Sequence, residues 1–363
     1  MPSGSYHRCG RRGAGCGQRN LLERAEGLRA HSEIKRLELM SKLNSIKAPI
    51  AEEMKEFDVR FKAHLKSNTP LVDRVMNYMV KRKGKQLRPI LVLLTAKMLG
   101  KVNDSTYVGA SLIELMHTAT LVHDDVVDDA DMRRGFFSIN ALWKNKVAVL
   151  IGDYLLSKVL LLAVDRKQYE LLGTVSTAVK SMSEGELLQI EKARKLDITE
   201  EVYYEVIQQK TAVLLETCCV VGAQSAEVST EVQEQMRMFG RELGLAFQIK
   251  DDLFDFEKVN LTGKPSGIDI KEQKMTLPLI NALQNTTASK RKQIIRTIKK
   301  DHNRPKKVAE VVDFVRNSGG LDYARSKMEG HLQKAADILS NFPKSAERSA
   351  LEEVIAYTGA RKK

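Results

Sequence analysis

Apolar residues recur along most of this chain at steps of three and four, the spacing of one face of an α-helix. Ile50, Met54, Phe57 and Phe61 show it first, just after Pro49. The same period predicts helices over 71–82, 89–100, 106–131, 140–163, 168–193, 200–226, 230–256, 276–284, 289–300, 305–316, 321–340 and 345–357. Turn residues break it at Gly84, Gly135, Gly263 to Gly267 and Gly319-Gly320. No alternating apolar and polar run demands a strand, so the fold class expected is all-α. The longest gap, 257–273, is polar and glycine-containing, and ordered loops of that length tend to be functional.

The pattern places a domain over 40–363 and excludes the stretch before it. Residues 1–39 lack an apolar period, and Ser3 to Gln18 is rich in Gly, Arg, Ser and Cys. It has no apolar core of a secretory signal, and Glu23, Glu26, Glu33 and Glu38 argue against an organelle presequence. We read it as a disordered extension, with a fresh start at Met40. The most apolar stretch, Val147 to Val164, is interrupted by Gly152, Asp153, Ser157 and Lys158, so no bilayer-spanning helix is expected.

Charge and cysteines narrow the function classes. The net charge of +13 suits nucleic acid, an anionic membrane or an anionic small substrate. The basic residues are dispersed without interleaved aromatics, which argues against nucleic acid. The four cysteines, Cys9, Cys16, Cys218 and Cys219, have neither CxxC spacing nor a disulfide pattern. A reduced, cytoplasmic protein without a zinc site is expected.

Two five-residue clusters carry the chemistry. Asp124-Asp125-Val126-Val127-Asp128 and Asp251-Asp252-Leu253-Phe254-Asp255 both read DDxxD, and both sit in apolar helical pattern. Residues four apart on a helix stack on one face about 6 Å apart. Asp124 and Asp128 therefore project together, as do Asp251 and Asp255. Like charges at that spacing destabilise a helix, and Asp is itself a poor helix-interior residue. A hard divalent cation with oxygen ligands relieves both costs. Mg²⁺ takes few protein carboxylates and fills its shell with water and phosphate oxygens, so two such clusters describe a cage for a diphosphate. Against a cage stands the simpler reading of a solvated acidic face; the repetition and the basic partners favour the cage.

Those partners begin with Lys83-Gly84-Lys85-Gln86-Leu87-Arg88-Pro89, in which Lys85 and Arg88 converge ahead of a helix start. Arg133 and Arg134 follow the first cluster, and guanidinium forks suit phosphate oxygens as well as simple charge balance. Lys210-Thr211 lies within an apolar helix and Lys264 in the glycine-containing loop.

In order, GKQLRP, LMHTATLVHDDVVDDADMRRG, GDYLLS, GELLQ, QKTAVL, FQIKDDLFD and GKPSGIDI resemble the motifs of the trans-isoprenyl diphosphate synthases, or polyprenyl synthetases. The bacterial long-chain octaprenyl and solanesyl types are the most similar, and the likeness runs from about Pro49 to near the C-terminus. The resemblance implies the isoprenoid synthase fold, a single helical bundle around a central cavity, and a homodimer. It assigns isopentenyl diphosphate to Lys85, Arg88, His117 and Arg134. It assigns the allylic diphosphate to Arg133, Lys210, Thr211, Gln248 and Lys264. Asp124, Asp128, Asp251 and Asp255 would face Mg²⁺, three ions per site, supported by Asp125 and Asp252. His123 is left a structural role.

The activity so implied is condensation of isopentenyl diphosphate with farnesyl or geranyl diphosphate. Pyrophosphate departs, the allylic cation is attacked by the isopentenyl double bond, and a proton is lost. Short-chain relatives carry bulky aromatics four or five residues before the first cluster, whereas this chain has Ala119 and Thr120, with flexible Met116 one turn deeper. A long product for quinone side chains is expected, its floor set among Leu155, Val159 and Leu162. Peripheral membrane contact for product release fits such a product. The alternatives are a short-chain synthase or a non-catalytic subunit of a heteromeric one. A terpene cyclase would carry a different second metal motif, and an HD phosphohydrolase would need more histidines than the 7 scattered here.

Overall fold

The computed structural model describes residues 41–81, 84–133, 135–193, 198–256 and 267–360. The extension expected over 1–39 lies outside the described residues. Residues 41–45 are helical, and from Ile46 the chain forms a separate compact unit. A 3₁₀ turn, Ala48–Ile50, leads into α1 (Ala51–Leu65), α2 (Pro70–Val80), α3 (Leu87–Leu99) and α4 (Asp104–Val127). Then come α5 (Ile139–Asp165), α6 (Tyr169–Ala193), α7 (Glu200–Ile207), α8 (Val213–Ser225) and α9 (Thr230–Phe254). The rest is α10 (Ile268–Lys271), α11 (Leu277–Gln284), α12 (Ala288–Asp301), α13 (Pro305–Asn317), α14 (Gly320–Ser340) and α15 (Ala346–Ala360).

Three details depart from the periodicity. Between α4 and α5 a two-stranded antiparallel hairpin forms, β1 (Met132–Arg133) and β2 (Phe136–Phe137), pairing Met132 with Phe137. Strands this short leave no alternating signature. The helix expected over 106–131 stops at Val127, because Asp129 turns into the left-handed region at φ 46°. The amides of Asp129 and Ala130 then bond back to the carbonyls of Val126 and Asp125, a Schellman ending with Asp in the place usually held by Gly. Finally, the helix expected over 200–226 is interrupted by a π turn, Gln208–Ala212, between α7 and α8.

The bundle is organised by α4 and α9, which carry the aspartate clusters. The start of α4 is capped reciprocally by Asn103 and Thr106, and both reach Ser225 at the end of α8. Along α9, Arg237 and Arg241 bond buried Glu216 of α8 at 3.0 and 3.2 Å. Between them, Gly240 passes so close that a Cβ would lie 2.6 Å from Glu216 Cα.

Helix α5 is apolar enough to cross a membrane by length and composition, a test that a core helix also passes, and it is broken at Lys144 (φ 72°, ψ 160°). Its inner stripe, including Ile151, Leu155, Val159 and Leu162, is buried, and α4 is its main packing partner. Its outer stripe leaves Leu142, Val149, Leu150, Leu160, Leu161 and Val164 exposed.

Because backbone atoms face Gly240, relief requires the helices to part, and overpacking of this kind costs about 1–3 kcal/mol. Gly240→Ala is expected to lower stability by that amount in thermal or denaturant unfolding. A variant as stable as the parent would show that α8 and α9 are less tightly apposed than this.

Candidate active site

The first cluster splits its carboxylates between two faces of α4. Asp124 and Asp128 lie one turn apart, joined by the backbone bond from the Asp128 amide to the Asp124 carbonyl (2.8 Å), and both keep part of their surface open. Loss of hydration is first among the influences that raise the Asp124 carboxyl above its ordinary value. Glu186 of α6 is next, and Asp128 adds to it, while Arg133 and Lys210 oppose. Asp125 points elsewhere. It is buried, accepts from Arg133 Nε at 2.5 Å, and its carbonyl accepts from Asn140 (3.2 Å). Arg133, expected on the allylic diphosphate, is thus held beside both faces. Arg134 lies outside the described residues.

The second cluster is divided differently. Asp251 is half-buried at the end of α9. Asp252 is buried, its two oxygens accepting from Gln248 Nε2 (2.8 Å) and the Tyr203 hydroxyl (2.7 Å), and Gln248 in turn accepts from the Thr211 hydroxyl (2.9 Å). Burial first, and then Asp269 nearby, raise the Asp252 carboxyl to about 8. Asp255 was expected to share the metal face. Instead it is buried, and its two oxygens accept the backbone amides of Ile268 (2.9 Å) and Asp269 (3.1 Å). Its carbonyl accepts the Gly267 amide. The reason is local: Asp255 ends α9 and caps the chain where it returns as α10, holding Asp269 toward Asp252. Lys264 falls outside the described residues.

Lys210 sits in the π turn. Such one-turn insertions recur at functional sites because they displace a side chain from the regular helical face. Here Lys210 meets Glu186 in an ion pair and donates to Gln189 at 3.3 Å. Lys210, Thr211, Gln248 and Asp252 line one cavity of about 240 Å³ with Gln189, Tyr203, Asp269 and Lys274. Glu186, Gln189, Tyr203, Asp269 and Lys274 were not anticipated. The motif GELLQ held the only signal for the first two.

On the other side of α4, His117 is buried and lines a cavity of about 160 Å³ with Glu114, Asp125, Arg133 and Gly84. Arg88 reaches Glu114 at 3.9 Å, and the Lys85 ammonium lies 5.4 Å from the centre of the Tyr357 ring. Met116 and Ala119 are buried, and Thr120 is half-buried with its hydroxyl on the His117 carbonyl (2.9 Å). His123 takes structural contacts, Val149 O at 3.2 Å and Asp153 at 3.5 Å.

Two helices end in carboxylates, with Lys210 and Arg133 beside the first cluster and Lys210 sharing a cavity with Asp252. Comparison with known proteins names this arrangement. The family model for polyprenyl synthetase matches residues 69–315. The chain belongs to the polyprenyl synthetase family. An all-trans-nonaprenyl-diphosphate synthase (geranyl-diphosphate specific) of Rhodobacter capsulatus is 38% identical over 84% of this chain and 94% of its own length. The octaprenyl diphosphate synthase of Escherichia coli K12 is 34% identical over 85% and 96%. A polyprenyl synthase from Caulobacter crescentus CB15, crystallised with calcium and isoprenyl diphosphate, is similar with a TM-score of 0.81 at 31% identity. It covers 88% of this chain and 98% of that one. The fold is therefore the isoprenoid synthase fold, and the chain is a prenyltransferase. Prenyl synthases of this family join isopentenyl diphosphate to an allylic diphosphate.

The raised Asp252 carboxyl generates a pH dependence with a defined sign. An unfolded Asp titrates near 3.9. Between that value and about 8 the folded, metal-free chain holds a proton that the unfolded chain has released. Its contribution to stability is complete below the unfolded value and is lost as pH rises through about 8. Melting of metal-free protein from pH 5 to 9 should show this decline, and Asp252→Asn should flatten it. An unchanged slope in the variant would assign the decline to other groups.

Proposed function

We propose that this prenyltransferase elongates geranyl or farnesyl diphosphate with isopentenyl diphosphate to an all-trans product of about seven to nine isoprene units, because Ala119 and Thr120 are small where short-chain relatives carry bulky aromatics and Met116 is flexible. Such a product serves quinone side chains. The observation supporting the reading is that Arg133, Lys210 and Asp128 all act on the Asp124 carboxyl, and that Asp124 and Asp128 are exposed.

The donor set fits Mg²⁺. Asp124, Asp128 and Asp251 supply hard oxygens. That suits a cation which completes its shell with water and diphosphate oxygens. When bound, it supplies charge stabilisation to the departing pyrophosphate. The chain's own residues do the remaining work. Lys210 and Arg133 place positive charge on the allylic diphosphate, where charge develops as the C–O bond breaks. Thr211, Gln248 and Tyr203 hold Asp252 in register through hydrogen bonds. Lys85, Arg88 and His117 orient isopentenyl diphosphate. Apolar surroundings for the growing tail would exclude the water that would quench the cation.

The test is turnover with isopentenyl diphosphate, geranyl or farnesyl diphosphate and Mg²⁺, with products resolved by chain length. Wild type is expected to make long products and to stop in EDTA. Ala119→Phe is expected to shift products toward C15–C20 while retaining turnover. Wild-type products ending at C15 or C20, or unchanged long products from the variant, would refute this role for Ala119.

We also propose that the outer apolar stripe of α5 joins two copies in a homodimer, since solvated aliphatic side chains in such a row favour burial. Light scattering at micromolar concentration should give the mass of two chains, and Leu150→Glu with Leu161→Glu should halve it. A monomeric wild type would sink this assignment.

A further inference from the structure

The motif Gly185-Glu186-Leu187-Leu188-Gln189 has a place in the cleft but no part in the chemistry so far. Gly185 is buried where α6 meets the π turn, and a Cβ there would lie 2.9 Å from the Lys210 amide nitrogen. This close approach fixes Glu186 and Gln189 against Lys210. The Glu186 carboxylate pairs with the Lys210 ammonium, both side chains being about one-third exposed, and Gln189 Oε1 accepts from the same ammonium at 3.3 Å. Glu186 also acts on Asp124, whose carboxyl it raises more than any other single charge, while Lys210 acts on the same carboxyl in the opposite sense. One carboxylate is thus ion-paired with the lysine proposed for the allylic diphosphate and is felt by the aspartate proposed for the metal.

We propose that Glu186 is a positioning residue that links metal loading to diphosphate capture: it holds Lys210 while the cleft is metal-free and releases it once Asp124 is loaded. This rests on the reading of Lys210 and Asp124 given under Proposed function. The physical basis is competition. In a metal-free cleft Glu186 has Lys210 as its partner and Asp124 as a like-charged neighbour. With divalent charge beside Asp124, Glu186 faces a stronger attraction, and its hold on Lys210 weakens. The diphosphate then meets an unclaimed ammonium. Without cations it must displace Glu186 from Lys210 and also approach carboxylates.

The experiment uses the full chain and farnesyl thiolodiphosphate, whose C–S bond resists ionisation, titrated calorimetrically in EDTA and in Mg²⁺. Glu186→Gln is expected to bind this analogue about fivefold more tightly than wild type in EDTA, the order of one partly exposed ion pair. The enhancement by Mg²⁺ should shrink correspondingly, and Glu186→Asp should restore both values. A purely structural role for Glu186 would weaken binding in both conditions. Affinity in EDTA that is equal to or below wild type overturns the inference. A second measurement needs no variant: Mg²⁺ alone should speed acetylation of Lys210 by acetic anhydride in wild type, and an unchanged rate likewise overturns it. Failure of wild type to bind the analogue even in Mg²⁺ overturns the diphosphate reading itself, and this inference with it.

Discussion

Two carboxylates one helical turn apart repel each other, and the repulsion grows as water is withdrawn. This chain sets such groups at the ends of α4 and α9, the helices that organise the bundle. Much of the polar structure around them can be traced to that concentration of negative charge. Asp125 is neutralised by Arg133, and Asp252 takes hydrogen bonds from Tyr203 and Gln248. Asp255 is consumed by backbone amides. Asp124, Asp128 and Asp251 retain more open surface. The three aspartates of one motif are therefore not equivalent. The fold buries Asp125, Asp252 and Asp255 against named partners and keeps Asp124 and Asp128 at the surface of the cleft.

The same division explains why so much of the fold was legible beforehand. Helices of this length bury one stripe, and the stripe is written as a period that survives almost every local exception. Residues such as Leu243, Phe239 and Ile249 on α9 follow it throughout. What escaped were features whose cause lies in another part of the chain. Nothing within Gln208–Ala212 announces a π turn; its shape is matched to α6, which approaches it at Gly185. The left-handed Asp129 was hidden because Asp is a legitimate if less common occupant of a position that Gly usually marks.

The site was legible in its charges and less so in its connections. Asp124, Lys210, Thr211 and Gln248 are brought together, as spacing and resemblance led one to expect. The equivalence assumed for Asp251 and Asp255 came from a helical wheel that ends too soon: Asp255 is the C-cap that follows the last helical residue, Phe254, where the chain leaves and is tied on its return. Tyr203 was missed because no motif marks it, and Glu186 because GELLQ was recognised without a role for its residues. Only the packing of α7 on α9 and of α6 on the π turn delivers them.

Tyr203 and Tyr204 show how far the cleft is tied into the rest of the bundle. The adjacent rings meet edge to face, their centres 5.6 Å apart. Tyr203 turns inward to Asp252, and the Tyr204 hydroxyl lies 3.4 Å from His331 of α14, whose other nitrogen is 2.6 Å from Glu242 of α9. Tyr323 of α14 donates to Glu200 at the start of α7. The short helix α7 is thereby held to α14 along its length, and its C-terminal end runs directly into the π turn that presents Lys210. The position of the lysine thus depends on contacts well outside the cleft. In the role proposed for Glu186, exchanging it for a diphosphate on Lys210 would move only the flexible end of the lysine and let the backbone around it stay fixed.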